Sequence, residues 1–99
     1  MFKEESIAKI FKALGHPLRI KIVKYLLDGE KCVCELNQLV EYSQPNLSQH
    51  LKILKDAGIV EANKVGLNIY YRIKNELVKS LIESAQELAA ANLKAFVEE

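Results

Sequence analysis

No run of about 20 apolar residues interrupts the 99-residue sequence, and no segment has the order of a secretory leader. No membrane span is therefore expected, and the expected location is cytoplasmic. Two cysteines are too few for a disulfide framework. There is no glycine-rich phosphate loop, no pair of carboxylates suited to acid–base work and no Cys-X-X-Cys motif, so an enzyme is not expected. The net charge is only +1, so no global basic field points to nucleic acid. Internal repeats and low-complexity segments are also missing. What remains is one domain over residues 1–99, with 49% hydrophobic residues to build a core. A chain this short often gains stability from a partner subunit.

The charge is unevenly spread. Residues 43–74 carry five basic side chains (Lys52, Lys55, Lys64, Arg72, Lys74) against Asp56 and Glu61. Residues 75–99 carry Lys79 and Lys94 against five glutamates. The middle of the chain is thus the side that suits a polyanion.

Within that middle, residues 43–58 read as one helix with both ends marked. Ser43 is a good N-cap, Pro45 is tolerated in the first turn, and Gly58 suits the left-handed residue that ends a helix. Leu47, Leu51 and Leu54 repeat at the spacing of one buried face. The opposite face offers Gln44, Asn46, Ser48, Gln49, His50 and Lys52, groups that hydrogen-bond base edges and phosphates in a major groove. A merely solvated polar face is the plainer alternative.

Three helices are expected before it, over residues 5–14, 17–27 and 32–40. Pro17 opens the second, and residues 28–30 form a turn before the third. Glu41-Tyr42 is a tight link, so the third and fourth helices form a helix-turn-helix. Beyond Gly58 the period changes. Residues 59–62 and 69–73 are short β-like runs around a turn-rich tip that carries Lys64 and Asn68. A hairpin directly after a recognition helix makes a winged helix. The expected fold is mainly α with a small β-hairpin, in the order α-α-α-α-β-β-α.

The last helix, about 75–97, is long for so small a domain. Leu77, Leu81, Ala85, Leu88, Ala89 and Phe96 form an apolar stripe along it. Part of that stripe should pack on the first helix and part on a second copy of the chain. Dimerisation is therefore expected through about 1–14 and 75–97, with Ile7, Phe11, Leu81, Ala85, Leu88 and Ala89 at the interface. Asn92 interrupts the stripe, either pairing across the interface or standing solvated near a fraying end. Two recognition helices would then read half-sites about one helical turn apart.

The runs Phe11-Lys12-Ala13-Leu14-Gly15-His16-Pro17-Leu18-Arg19-Ile20, Ser48-Gln49-His50-Leu51-Lys52 with Ala57-Gly58, and Gly66-Leu67-Asn68-Ile69-Tyr70-Tyr71-Arg72 resemble the ArsR/SmtB family of repressors. The resemblance covers nearly the whole chain. It implies a homodimer that occupies double-stranded operator DNA and lets go when an inducer binds, with no obligatory cofactor. The family's wing commonly carries an arginine where this chain has Leu67.

Glu30-Lys31-Cys32-Val33-Cys34-Glu35 resembles the arsenic-sensing Cys-X-Cys branch of that family, which makes Cys32 and Cys34 the candidate metal ligands. Thiolates suit soft ions, and As(III) typically takes three sulfurs. The third ligand would come from a cellular thiol, hydroxide or water, or a side chain such as His16. The inducer implied is As(III) or a related thiophilic ion of antimony, cadmium or lead. Oxidation or persulfide formation at the same cysteines is the alternative trigger. In an ideal helix, residues two apart point roughly 200° away from each other, so gripping one ion should distort the turn, and a Cys32–Cys34 disulfide should be strained. The N-terminus of that helix would favour thiolates. A last helix without histidine offers no site of the kind that another branch places there. Two other classes compete. A small thiol oxidoreductase would show dithiol turnover, and a purely protein-binding winged helix would show no salt-dependent DNA affinity.

Overall fold

The computed structural model describes residues 3–40 and 47–98. Their order is α1 (Lys3–Leu14), α2 (Pro17–Leu27), β1 (Lys31–Cys32), α3 (Val33–Leu39), α4 (Leu47–Asp56), β2 (Val60–Val65), β3 (Asn68–Ile73) and α5 (Leu77–Glu98). The expected N-cap Ser43, the link at 41–42 and Pro45 lie outside the described residues.

Local chemistry explains most of the boundaries. His16, in extended conformation, caps α2 by accepting the Leu18 amide on Nδ1 (3.1 Å), and Pro17 fills the first turn, where no amide is needed. Gly58 has φ 77°, so α4 ends in a Schellman motif. The Ile59 amide reaches the Leu54 carbonyl and the Gly58 amide the Lys55 carbonyl, both at 3.0 Å. Leu54 and Ile59 are both buried, which supplies the apolar contact that goes with this motif. Gly66, φ 62°, takes the first central position of the two-residue turn between Val65 and Asn68, as a type II′ hairpin requires. Asn75 caps α5 from outside it by accepting the Leu77 amide on Oδ1 (2.8 Å), so that helix starts later than the periodicity suggested.

The core is built from one face of each helix and the root of the hairpin. Ile22, Val23, Leu36, Leu51, Leu54 and Val60 are the large side chains most fully removed from water. Leu47, Leu51 and Leu54 give α4 its buried face, as their spacing predicted.

Two expectations are corrected. The sheet is not a bare hairpin but three antiparallel strands in the order β1-β3-β2, with Lys31 opposite Tyr71 and Cys32 opposite Tyr70. And Cys32 does not begin the third helix. It stands before it in extended conformation (φ −78°, ψ 162°) as the N-cap of α3. Its Sγ accepts the Glu35 amide (3.2 Å), while Oε1 of Glu35 accepts the Cys32 amide (2.9 Å). This reciprocal pair is a capping box with sulfur in the place of a hydroxyl.

α5 keeps only its first turns in the core, through Val78 and Ile82. Leu77, Val78 and Leu81 face Ile10 and Leu14 of α1 across a cleft of about 200 Å³. From residue 83 to 97 every side chain is exposed, including Ala85 and Ala89. Leu88 is 64% exposed and Phe96 78%, and on α1 Phe11 is 58% exposed. An exposed apolar stripe of this length marks an interaction face.

Two tests follow from these features. With the cysteines reduced, Cys32→Ser should leave stability nearly unchanged, because a hydroxyl caps as well, whereas Cys32→Ala should cost about 0.5–2 kcal/mol in urea denaturation. Leu88→Asp should convert a dimer to a monomer in sedimentation equilibrium while circular dichroism keeps its helical signal. A variant that still sediments as a dimer would remove this face from the interface.

Candidate nucleic-acid interface and dithiol site

With its leucines inward, α4 directs Ser48, Gln49 and Lys52 to solvent. Gln44 and Asn46 lie outside the described residues. Lys52 does not stand alone: its Nζ lies 3.2 Å from Oδ2 of Asp56, one turn on, both exposed. An exposed pair of this kind contributes little to stability, so Lys52 can exchange its carboxylate for another anion at small cost. Lys64 and Asn68 are exposed at the end of the hairpin. Between them Leu67 is 98% exposed.

His50 faces the other way. Its Nδ1 lies 3.1 Å from Nη1 of Arg19 on α2, and its ring is 4.7 Å from that of His16, centroid to centroid. A guanidinium can only donate, so Nδ1 of His50 is the acceptor and the ring is neutral in this contact. Burial, then the nearby His16 and Arg19, hold the His50 pKa below its ordinary 6.5. The sequence leaves His50 either a DNA-facing or a helix-packing role, and its contacts here are with Arg19 and His16. Arg19 was missed altogether. Its run with His16-Pro17 was visible, but its partner is 31 residues away.

The two cysteines sit where three elements meet. Cys32 is 4% exposed, its backbone in β1 and its side chain capping α3. Cys34, one residue into the helix, is exposed. The two Cα atoms are 5.3 Å apart and the sulfurs are joined as a disulfide. The expectation that sulfurs at this spacing point away from each other holds only when both residues are helical. The extended conformation of Cys32 brings them together without unwinding α3. Distortion of a helical turn is therefore not what a shared ion would require.

Cys34 also lines a cleft of about 230 Å³ with Ser48 and Leu51 of α4 and Leu67, Asn68, Ile69 and Tyr71 of the hairpin. The structure thus brings Cys34 beside two of the expected DNA-facing residues, Ser48 and Asn68, which are separated from it in sequence.

Once reduced to thiolates, the two adjacent sulfurs would fit a soft ion that accepts a further ligand from solution. Among the described residues, no group of three or more histidine, cysteine, aspartate or glutamate side chains could hold a metal ion. A closed tetrahedral site does not fit. His16 does not supply a third donor on Nδ1, which is committed to the Leu18 amide. None of the described helices is long and apolar enough to cross a membrane.

Comparison with known proteins agrees with this geometry. The family model described as "Bacterial regulatory protein, arsR family" matches residues 16–62. An HTH-type transcriptional regulator of Methanocaldococcus jannaschii is 45% identical over 89 residues, covering 89% of this chain and 100% of that protein. A cadmium resistance transcriptional regulatory protein CadC homolog of Staphylococcus aureus is 44% identical over 81 residues, covering 81% of this chain and 67% of that protein. The solution structure of a homodimeric winged helix-turn-helix DNA-binding domain from Mycobacterium bovis, described as a possible ArsR-family regulator, matches with TM-score 0.79. That match has 32% identity over 87% of this chain and 80% of the other. These are transcriptional regulators and not enzymes. On sequence and fold together, the chain belongs to the ArsR family of winged helix-turn-helix transcriptional regulators.

Proposed function

We propose that this protein is a dimeric repressor, released from its operator when a thiophilic metalloid, As(III) in the first instance, bridges Cys32 and Cys34. The observation that carries the reading is the position of the two sulfurs, side by side at the start of α3 and tied by backbone to the wing. The relative from Staphylococcus aureus, named for cadmium resistance, supports a soft ion in general, and cadmium, lead and antimony belong to the same class.

Operator contacts are assigned to Gln44, Asn46, Ser48, Gln49 and Lys52, with Lys64 and Asn68 from the wing. The dimer is assigned to the first and last helices, through Ile7, Phe11, Leu81, Ala85, Leu88 and Ala89. It works on operator DNA in the cytoplasm.

A bound metalloid would supply bonds to both sulfurs, with the remaining ligand coming from solution. Release follows from what Cys32 already holds. Its side chain accepts the Glu35 amide and its backbone pairs with Tyr70. The cap stands with the two sulfurs joined to each other, so an ion would have to draw the Cys32 sulfur off the Glu35 amide to shift α3, the scaffold helix before α4, and β3, which leads from the wing tip at Asn68. Reader and wing are disturbed together. A coupling of about 1–3 kcal/mol per site, or about 5–150-fold in affinity, is ordinary for allostery.

A second reading shares the cysteines. The sulfurs are close enough to join, so two-electron oxidation of the dithiol to a disulfide by a peroxide-class oxidant would be the trigger, or attack of a cysteine thiolate on the sulfane sulfur of a polysulfide, which leaves a persulfide and releases the donor's thiolate.

Fluorescence anisotropy on DNA from the protein's own upstream region separates these readings. The reduced protein should bind, arsenite should release it, and the Cys32→Ser/Cys34→Ser double variant should bind but ignore arsenite. Release by peroxide with no response to arsenite would favour the redox trigger. Binding unmoved by either would remove both inducers.

A further inference from the structure

Arg19 lies on α2, yet its guanidinium serves two other helices at once. Nε donates to the carbonyl of Ala13 and Nη2 to that of Lys12 (3.3 Å), both in the last turn of α1. Nη1 donates to Nδ1 of His50 on α4 (3.1 Å). Carbonyls in the last turn of a helix lack donors within it and carry the negative end of its dipole, so a cation is well placed there, although the Lys12 carbonyl also accepts the Gly15 amide (3.2 Å). His50 is flanked by the ring of His16, which is itself held by the Leu18 amide. One side chain thus links the end of α1 to His50 of α4. Three of its five N–H donors are used inside the protein.

We propose that Arg19 is a positioning residue for operator reading, carrying the placement of α1 to the recognition helix through His50. The inference rests on operator binding by this chain, as proposed above, and is independent of the inducer. Leu47, Leu51 and Leu54 hold α4 in the core without Arg19. What Arg19 adds is a restraint on how the helix is turned and tilted. Base-edge contacts depend on that orientation, whereas phosphate contacts tolerate change and carry no sequence information. α1 is also a helix assigned to the dimer, so the link runs from the subunit contact to the reader. Among the described residues, the charged and titratable groups that face His50 are His16 and Arg19. Once His50 is protonated its Nδ1 can no longer accept, and the imidazolium repels the guanidinium. The link is therefore intact when His50 is neutral and is lost as pH falls below the ordinary histidine range.

The test measures anisotropy on operator and on a scrambled duplex, across salt and pH, for the full-length protein, Arg19→Lys, His50→Leu and the double variant. Lysine keeps the charge but not the fork. Arg19→Lys is expected to weaken operator binding about tenfold, with scrambled-duplex affinity and salt slope unchanged. His50→Leu should show a similar loss, the double variant no further loss, and the acid step of the wild type should vanish in both His50 variants. A loss equal on both duplexes with a slope smaller by about one would make Arg19 a phosphate contact and overturn the proposal. So would additive losses in the double variant, or a lower Tm with an unchanged operator-to-scrambled ratio. If the wild type binds no operator, this inference falls together with the repressor reading. If it binds and the variants match it, the inference alone falls.

Discussion

Burial of Leu47, Leu51 and Leu54 is the constraint on which the rest of the molecule depends. All three are removed from water, and once they are, the rotation of α4 about its axis is set. The polar groups between them have no choice of face. A leucine-to-alanine change at such a position costs about 2–5 kcal/mol, far more than any outward side chain contributes to folding. The fold can therefore spend its outward positions on recognition. α2, α3 and the hairpin root pack around these leucines, which fixes what stands beside the reader: the start of α3 and the wing, which share one cleft with it.

If the proposed dithiol is the sensor, Cys32 leaves little material between sensing and reading in so small a domain. Its amide and sulfur form the capping box with Glu35, and its backbone joins β3. The three roles occupy one residue, so a ligand at the sulfur has to act on an element that already has work to do. Cys34 adds the complementary property. It is open to solvent and stands at the cleft between reader and wing, where an arriving ion or oxidant can reach it.

Much of this was legible in the sequence where the signal was local. Pro17 and Gly58 marked helix ends through properties that need no distant partner. The α4 leucines declared their face by spacing alone. β1 was not legible, because Lys31 and Cys32 are too few to show a period and their partners, Tyr71 and Tyr70, lie far along the chain. Cys32 as a cap was missed because cysteine is not among the usual capping residues. The tie between Arg19 and His50 was missed because no local pattern announces a contact between two helices. Of the expected operator contacts, Ser48, Gln49, Lys52, Lys64 and Asn68 are exposed. His50 is half-buried and turned to Arg19 and His16, a packing contact that composition cannot reveal.

The strand order β1-β3-β2 bears on how copies of this chain can associate. Open strands recruit other strands, which is a route to aggregation. Here the most apolar strand, β3, is central and paired on both sides. One edge, β1, is only two residues long, too short a template for an incoming chain. The other, β2, carries Glu61 and Lys64 along its length. Strand-to-strand polymerisation is discouraged at both margins, and orderly assembly is left to the helices.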